Sequence, residues 1–255
     1  MRLLDFPFSL AWANETWEKK LWDKNKKNEI IAEQVYPGEQ DIINHFYSLL
    51  EAFSDRRYIR VDGKLFFIIY RPLDCPDVAN MMTMWRDLAK KEGLGDFYFV
   101  AKDFDCRNKD KLLSLGFDAI YNDCVLNIHH KLNLVNKVRL KLQRDILGMP
   151  TTFKYKDAIE YMITDDDKQD NIFPLIAPNW DHSPRSGRKS LILTDCKPIY
   201  FERVVKEAVN IVKDKPKEQQ IIMIRAWNEW GEGNHLEPDL KYGKGYLEAI
   251  KKWKD

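Results

Sequence analysis

The sequence predicts an α/β domain built on a mostly parallel sheet. Three observations carry that expectation. Short apolar runs rich in β-branched and aromatic residues recur along the chain, and stretches with apolar residues three and four apart lie between them. The runs themselves, LFFIIY at 65–70 and FYFVA at 97–101, are apolar almost throughout, as strands covered on both faces are. No stretch is rich enough in Pro, Ser or Gly to be a linker, and no repeat recurs at 20 to 50 residues, so one domain over 1–255 is expected.

Taken in order, six strands are expected at 6–12, 64–71, 97–102, 117–121, 172–177 and 221–227. Helical spacing marks 40–53, 78–92, 109–115, 131–147, 156–162, 200–213 and 246–253, with Gly93 and Gly95 as a stop for the second of these. Asp62-Gly63 between two β-type runs is a strong hairpin signal, so 58–61 is expected to turn back onto the second strand. TDDDKQDN at 164–171 and KDKPKEQQ at 213–220 read as solvated connections.

Composition excludes several classes. The 41 Lys and Arg against 40 Asp and Glu give a formal charge of +1, without the basic excess of a nucleic-acid binder. A chain 44% hydrophobic and 32% charged, with 11 Gly and 11 Pro, can bury a core and is not of disordered composition. The apolar runs are shorter than the roughly 18 residues a membrane-crossing helix needs. The start, MRLLDFPFSLAWANETW, shows no small-residue cleavage site, so no secretory signal is expected. Cys75, Cys106, Cys124 and Cys196 lack metal-ligand spacing and read as reduced thiols, which makes the cytoplasm the expected compartment. The 8 Trp suit a large core, and a few beside polar residues at strand ends suit stacking on sugar faces.

The densest polar constellation is AWNEWGEGNHLEPD, 226–239, directly after the last apolar run. It places Asn228, Glu229, Glu232, His235 and Glu237, interleaved with Trp227 and Trp230, at the carboxyl end of a strand, where α/β sheets hold their ligands. Glu229 and Glu232 are three residues apart, so one turn brings both carboxyls to one side. Two such carboxyls walled by indoles are expected to differ in proton affinity, which glycosidic-bond chemistry requires. The first strand ends in AWANETW, where Asn14 and Glu15 are candidates for sugar hydroxyls or for capping the following segment. Tyr70 and Arg71 close the second strand. APNWDHSPRSGR follows the fifth and offers Asn179, Trp180 with Asp181 as a stack-plus-acceptor pair, and Arg185 with Arg188 for a phosphate.

Asp103-Phe104-Asp105 has the DxD pattern with which many sugar transferases hold a divalent metal, but three residues match often by chance, and no metal is assigned. The histidines at 45, 129, 130, 182 and 235 have no zinc spacing, and no glycine-rich nucleotide fingerprint is present; no cofactor is expected.

With FPFSLAWANETW, RYIRVDGKLFFIIYRP, PNWDHSPR and AWNEWGEGNHLEPD in this order, the chain resembles the WbsX-type glycosyltransferases, which are glycoside hydrolase family 99-like proteins of bacterial polysaccharide clusters. The resemblance implies a (β/α)₈ barrel, a carbohydrate substrate, and a role in lipopolysaccharide O-antigen or another surface glycan. In the related hydrolases the glutamates of NEWxEG are the catalytic pair, which here are Glu229 and Glu232. The first assists the sugar 2-hydroxyl in displacing the leaving group, and the second protonates the leaving oxygen. Asn14, Glu15, Tyr70, Arg71, Trp180, Asp181, Arg185, Asn228, Trp230 and Glu237 then form the sugar site. Gly231 stands where those hydrolases usually have His, a departure that bears on substrate preference. The alternative with the same pair is a retaining endo-glycosidase of the endo-α-mannosidase kind; a second alternative is a remnant that only binds glycan or a partner. Six strands against eight imply an incomplete barrel lacking the first two βα units, an N-terminally truncated form that would recruit them from a partner chain or expose sheet edges.

Overall fold

The computed structural model describes residues 5–19, 29–125, 128, 132 and 134–253, without the side chains of 136, 143, 144 and 189. The expected α/β architecture is what it shows. The chain divides into two compact units: Met1–Asp103 with Arg107–Ile120, and Phe104–Cys106 with Tyr121–Asp255.

The first unit opens with β1 (Leu10–Trp12), a hairpin of β2 (Trp17–Lys19) and β3 (Glu29–Ala32), and the helices Glu39–Ser48 and Leu50–Phe53. It continues through β4 (Arg60–Val61), β5 (Lys64–Ile69), the helix Val78–Lys91, β6 (Phe97–Asp103) and the helix Lys109–Ser114. β5 is central, parallel to β1 on one side and β6 on the other. The Asp62-Gly63 hairpin forms as expected: β4 runs antiparallel to β5 with Val61 opposite Lys64. Asp62 (φ +49°) and Gly63 (φ +75°) are both left-handed, as a two-residue turn matched to strand twist requires. The predicted first strand is shortened, because before Leu10 only Phe8 is bridged, to Tyr58. The helix predicted over 40–53 is interrupted at Leu49.

An aromatic core holds this unit together. Phe46, Phe53, Trp85, Phe97 and Phe99 are fully buried and Phe67 nearly so. Trp85 lies edge-on or tilted to all five phenylalanines, with centroids 4.9 to 6.4 Å apart, the range aromatic pairs prefer. Its indole N–H is satisfied by Ile42 O at 3.1 Å.

Ala119–Asn122, β7, spans the point at which the units divide. The second unit then contains the helix Leu134–Asp145, β8 (Thr151–Lys154), the short helix Tyr155–Ala158, β9 (Ile172–Ile176), the helix Ser183–Ser186, and β10 (Leu191–Thr194). The helix Pro198–Val212, β11 (Met223–Ile224), β12 (Asn228–Glu229), β13 (Asn234–His235) and the helix Gly245–Lys251 complete it. β9 pairs with β11, and β8 with β10, both parallel. Tyr155, Phe173 and Phe201 are fully buried at its core. Residues 129 to 131, hence two of the histidines and the predicted helix start, lie outside the described residues.

The β8–β10 pair, the β2–β3 hairpin and the β12–β13 pair were not expected. The solvated reading of 164–171 holds for most of the segment but not for Asp167, which is fully buried, forms a reciprocal capping box with Thr164 and has Asn122 Nδ2 at 3.3 Å. Burial raises its carboxyl, against hydrogen bonds from Thr164 and Asn122. In 213–220, likewise, Lys215 is buried and donates to the carbonyls of Gln169 and Ile172. Such groups are retained inside because their hydrogen bonds are met. Among the described residues no helix is long and apolar enough to cross a membrane.

Candidate functional site

The second unit gathers the predicted carboxylates. β11 ends at Ile224, Arg225 N–H continues its pairing onto Ile176 O at 2.9 Å, and the chain then enters the short β12–β13 ladder, in which Asn228 opposes His235 and Glu229 opposes Asn234. A single 3₁₀ turn, Trp230–Glu232, closes the ladder. The turn is possible because Gly233 sits at φ +51°, and a β-carbon there would lie 2.8 Å from Asp181 Cβ. Asp181 N–H donates to Glu232 O at 2.8 Å, which ties the Glu232 turn to the segment 180–182. That segment is itself held by β10, through Leu193 N–H to Trp180 O and His182 N–H to Leu191 O.

Glu229 and Glu232 converge on one guanidinium. Arg185 Nη2 reaches Glu229 Oε1 and Arg185 Nη1 reaches Glu232 Oε1, each at 3.0 Å. His182 Nε2 is 3.3 Å from the same Glu232 oxygen. Glu232 is the more enclosed, 13% exposed against 39% for Glu229. A forked guanidinium between two carboxylates fixes their mutual orientation far more tightly than a lysine would. Gly231 is part of this arrangement: a β-carbon there would stand 3.1 Å from Glu229 Oε1 and 3.4 Å from Arg185 Nη2. Where the related hydrolases carry His, any side chain would press on the pair.

The surrounding residues divide into walls and open rings. Trp227 and Trp230 are about half exposed; Trp230 stacks on His235 at 3.7 Å and donates to Glu237 Oε2 at 2.8 Å. Trp180, expected to stack on sugar, is 3% exposed, with the Arg225 guanidinium 4.3 Å from its ring centroid. It walls the site from within. Arg225 also pairs with the fully buried Asp123 at 2.8 Å. Asp181 Oδ1 accepts from Ser183 N–H and so is spent on opening the short helix Ser183–Ser186. Asn179 and Asn234 stitch the ladder: Asn179 exchanges both its amide bonds with the His235 backbone, and Asn234 donates to Asn179 O and Arg225 O. Arg225, Asp123 and Asn234 were not singled out from the sequence. Asn234 lies inside the motif, but the Asp123–Arg225 pair joins residues 102 apart, for which no local pattern exists.

The first-strand candidates form their own group in the first unit. Asn14 is buried and exchanges two hydrogen bonds with the Arg71 backbone, at 2.8 and 2.7 Å. Glu15 pairs with the Arg71 guanidinium. Tyr70 receives the Lys102 ammonium 3.7 Å from its ring centroid. A cavity of about 160 Å³ beside Trp12, Tyr36 and His45 adjoins the carboxyl end of β1. Burial lowers His45, with Asp41 opposing.

The DxD segment is occupied structurally. Asp103 accepts from Asn108 N–H and Nδ2 at 2.7 and 2.9 Å, and Asp105, with φ +58°, faces the Cys124 thiol. Among the described residues no three His, Cys, Asp or Glu side chains assemble as a metal centre would need. None of the four cysteines is in a disulfide, and burial, the leading cause, pushes the Cys196 thiol up to about 12.

Comparison with known proteins follows the same line. The family model described as Glycosyltransferase WbsX matches residues 1–250. Two curated relatives, each named "Uncharacterized protein WxcX" and from two strains of Xanthomonas campestris pv. campestris, are 25% identical over 252 residues. That alignment takes in 97% of this chain and 34% of the relatives, so the chain spans about a third of their length. Among solved structures, one described as a glycoside hydrolase-like protein superposes with TM-score 0.55 at 16% identity, over 84% of this chain and 61% of that one. The glycoside hydrolase family 99 endo-α-mannosidase of Bacteroides thetaiotaomicron gives 0.50 at 16% identity, over 85% and 65%. At that identity the likeness carries the fold alone, an incomplete barrel-type α/β chain.

Proposed function

The chain belongs to the WbsX glycosyltransferase family, and from that premise we propose that it is a carbohydrate-active enzyme working on glycosidic bonds through Glu229 and Glu232. The observation that carries the reading is the convergence of both carboxylates on Arg185 at the turn after β11. In the proposed mechanism Glu229 assists the sugar 2-hydroxyl and Glu232 protonates the leaving oxygen. Arg185 orients the pair and yields it to the entering sugar. Trp230 and Trp227 offer open ring faces, and Asn228 and Glu237 polar partners beside them. The group around Asn14, Glu15, Tyr70 and Arg71 is proposed as a further sugar-contacting region.

The substrate proposed is an activated sugar or glycan for a bacterial surface polysaccharide such as lipopolysaccharide O-antigen, handled in the cytoplasm without a metal. The uninterrupted match over 1–250 supports treating the chain as one catalytic domain of the barrel type. The length of the curated relatives supports the idea that further barrel units come from polypeptide outside these 255 residues. A second reading, a retaining endo-glycosidase on an α-linked glycan, is favoured by the solved endo-α-mannosidase among the similar folds.

The test is turnover of activated sugar donors and of glycans by the purified chain and by Glu229→Gln and Glu232→Gln. Loss of at least a hundredfold in both, with melting unchanged, is expected; retained turnover in both variants would sink the assignment. Cleavage of glycan with no activated donor present selects the second reading, and loss of activity with EDTA would restore the metal-dependent transferase.

A further inference from the structure

The helix Leu134–Asp145 and the turn after it expose a row of large apolar side chains. Leu134 and Val135 are 76% exposed, Ile146 73% and Leu147 67%, and Val138 and Leu142 50% each. At ~100° per residue, Leu134, Val135, Val138, Leu142 and Ile146 fall within one arc of about 120°. Leu140 points away from that arc and is only half-buried. Val135, Val138, Arg139, Leu142, Leu147 and Met149 line a shallow groove along the exposed face. Soluble chains seldom leave so continuous an apolar surface uncovered.

The charges around the row say what fits it. On the same helical projection Arg139 stands at one edge of the arc, and Lys141 with Lys137 at the other. The stretch 134–147 carries four basic residues against the single acid Asp145. Apolar side chains rimmed by long cationic ones, whose stems lie along the apolar surface while their heads stay in water, suit the boundary between acyl chains and anionic headgroups. A second copy suits the face less well, because a two-fold contact sets basic rims against each other. The helix Leu134–Asp145 is 12 residues long, too short to cross a bilayer, so it would lie in the plane of the interface.

We propose that this helix docks the chain on an anionic phospholipid surface. The inference stands apart from the glycosidic chemistry, since it uses no residue of that site. Its test is flotation of the purified chain with vesicles of phosphatidylcholine, or of phosphatidylcholine and phosphatidylglycerol in equal parts. The chain should float with the anionic vesicles, remain with the bulk solution beside the neutral ones, and be released by salt. Val138→Glu with Leu142→Glu, both at exposed positions, should weaken vesicle binding by at least tenfold. Lys137→Gln with Arg139→Gln and Lys141→Gln should weaken it by about a hundredfold, with the near-ultraviolet dichroism of the wild type. Absence of binding to anionic vesicles, or binding that neither variant changes, overturns the proposal. So does a lipid-free dimer that the glutamate variant dissociates, which would assign the face to a second copy.

Discussion

Alanine at position 233 plants a β-carbon 2.8 Å from Asp181 Cβ and 3.2 Å from Asp181 N. Gly233 has φ +51°, a region that costs a residue with a β-carbon about 1–2 kcal/mol. Overpacking against a backbone that cannot swing aside adds about 1–3 kcal/mol. The shift that makes room also strains the Asp181 N–H to Glu232 O bond, so the cost falls on the turn that carries the carboxylates. With a total near 3 kcal/mol and about 2–4 °C per kcal/mol for a chain of this size, the melting midpoint should fall by about 6–12 °C. A melt followed by near-ultraviolet circular dichroism reads it directly. Gly231→Ala is the control. Its φ is not in the left-handed region, and its nearest neighbours are side-chain ends, Glu229 Oε1 and Arg185 Nη2. Its melt should stay within about 2 °C of the wild type while turnover falls. Coincident melts for Gly233→Ala and the wild type would refute the claim that this turn depends on a left-handed glycine.

Three further outcomes are expected. Arg225→Met removes the guanidinium that faces the buried Asp123 and should cost about 3–5 kcal/mol; a denaturant midpoint equal to that of the wild type would show that the pair contributes nothing. Trp85→Ala empties the centre of the aromatic core in the first unit and should cost about 3–5 kcal/mol in the same titration, without touching the Glu229 turn. Hydrogen bonds from the Arg57 side chain and backbone hold the Asp55 carboxyl down from 3.8 to about 2. Between those values the folded chain binds fewer protons than the unfolded one, so this contribution is complete above pH 3.8 and is lost as pH falls to about 2. Asp55→Asn should flatten that part of the stability–pH curve, and an unchanged slope would count against the assignment.

The alternation of strands and helices was legible because continuous apolar runs and period-3.6 spacing record burial residue by residue, and Asp62-Gly63 because a left-handed pair leaves few other choices. β8 and β10 were missed for the opposite reason. Four residues each, beginning in Thr151-Thr152 and ending in Thr194, make too short a signal beside the loops around them. The carboxylate pair was legible from spacing and aromatic neighbours. Its clamp is visible only in part: the pattern offers Arg185 with Arg188 as a candidate for a phosphate, but nothing local says that its fork closes on Glu229 and Glu232, 44 and 47 residues away. Trp180 illustrates the limit most plainly, since an indole between Asn and Asp reads as a sugar platform whether or not an arginine from elsewhere covers its face.

Asn14 and Asn179 each return two hydrogen bonds to one partner residue, donating to its carbonyl and accepting from its N–H, as a neighbouring strand would. The partners are Arg71, beyond the end of β5, and His235, at the end of the two-residue β13. Side-chain amides thus carry sheet-like pairing beyond the main ladders, so the backbone is held over more residues than strand lengths suggest. In deuterium oxide the amide protons of Arg71 and His235 should therefore exchange on the slow timescale of the core strands, and the loops around both sites should behave as sheet rather than as loop.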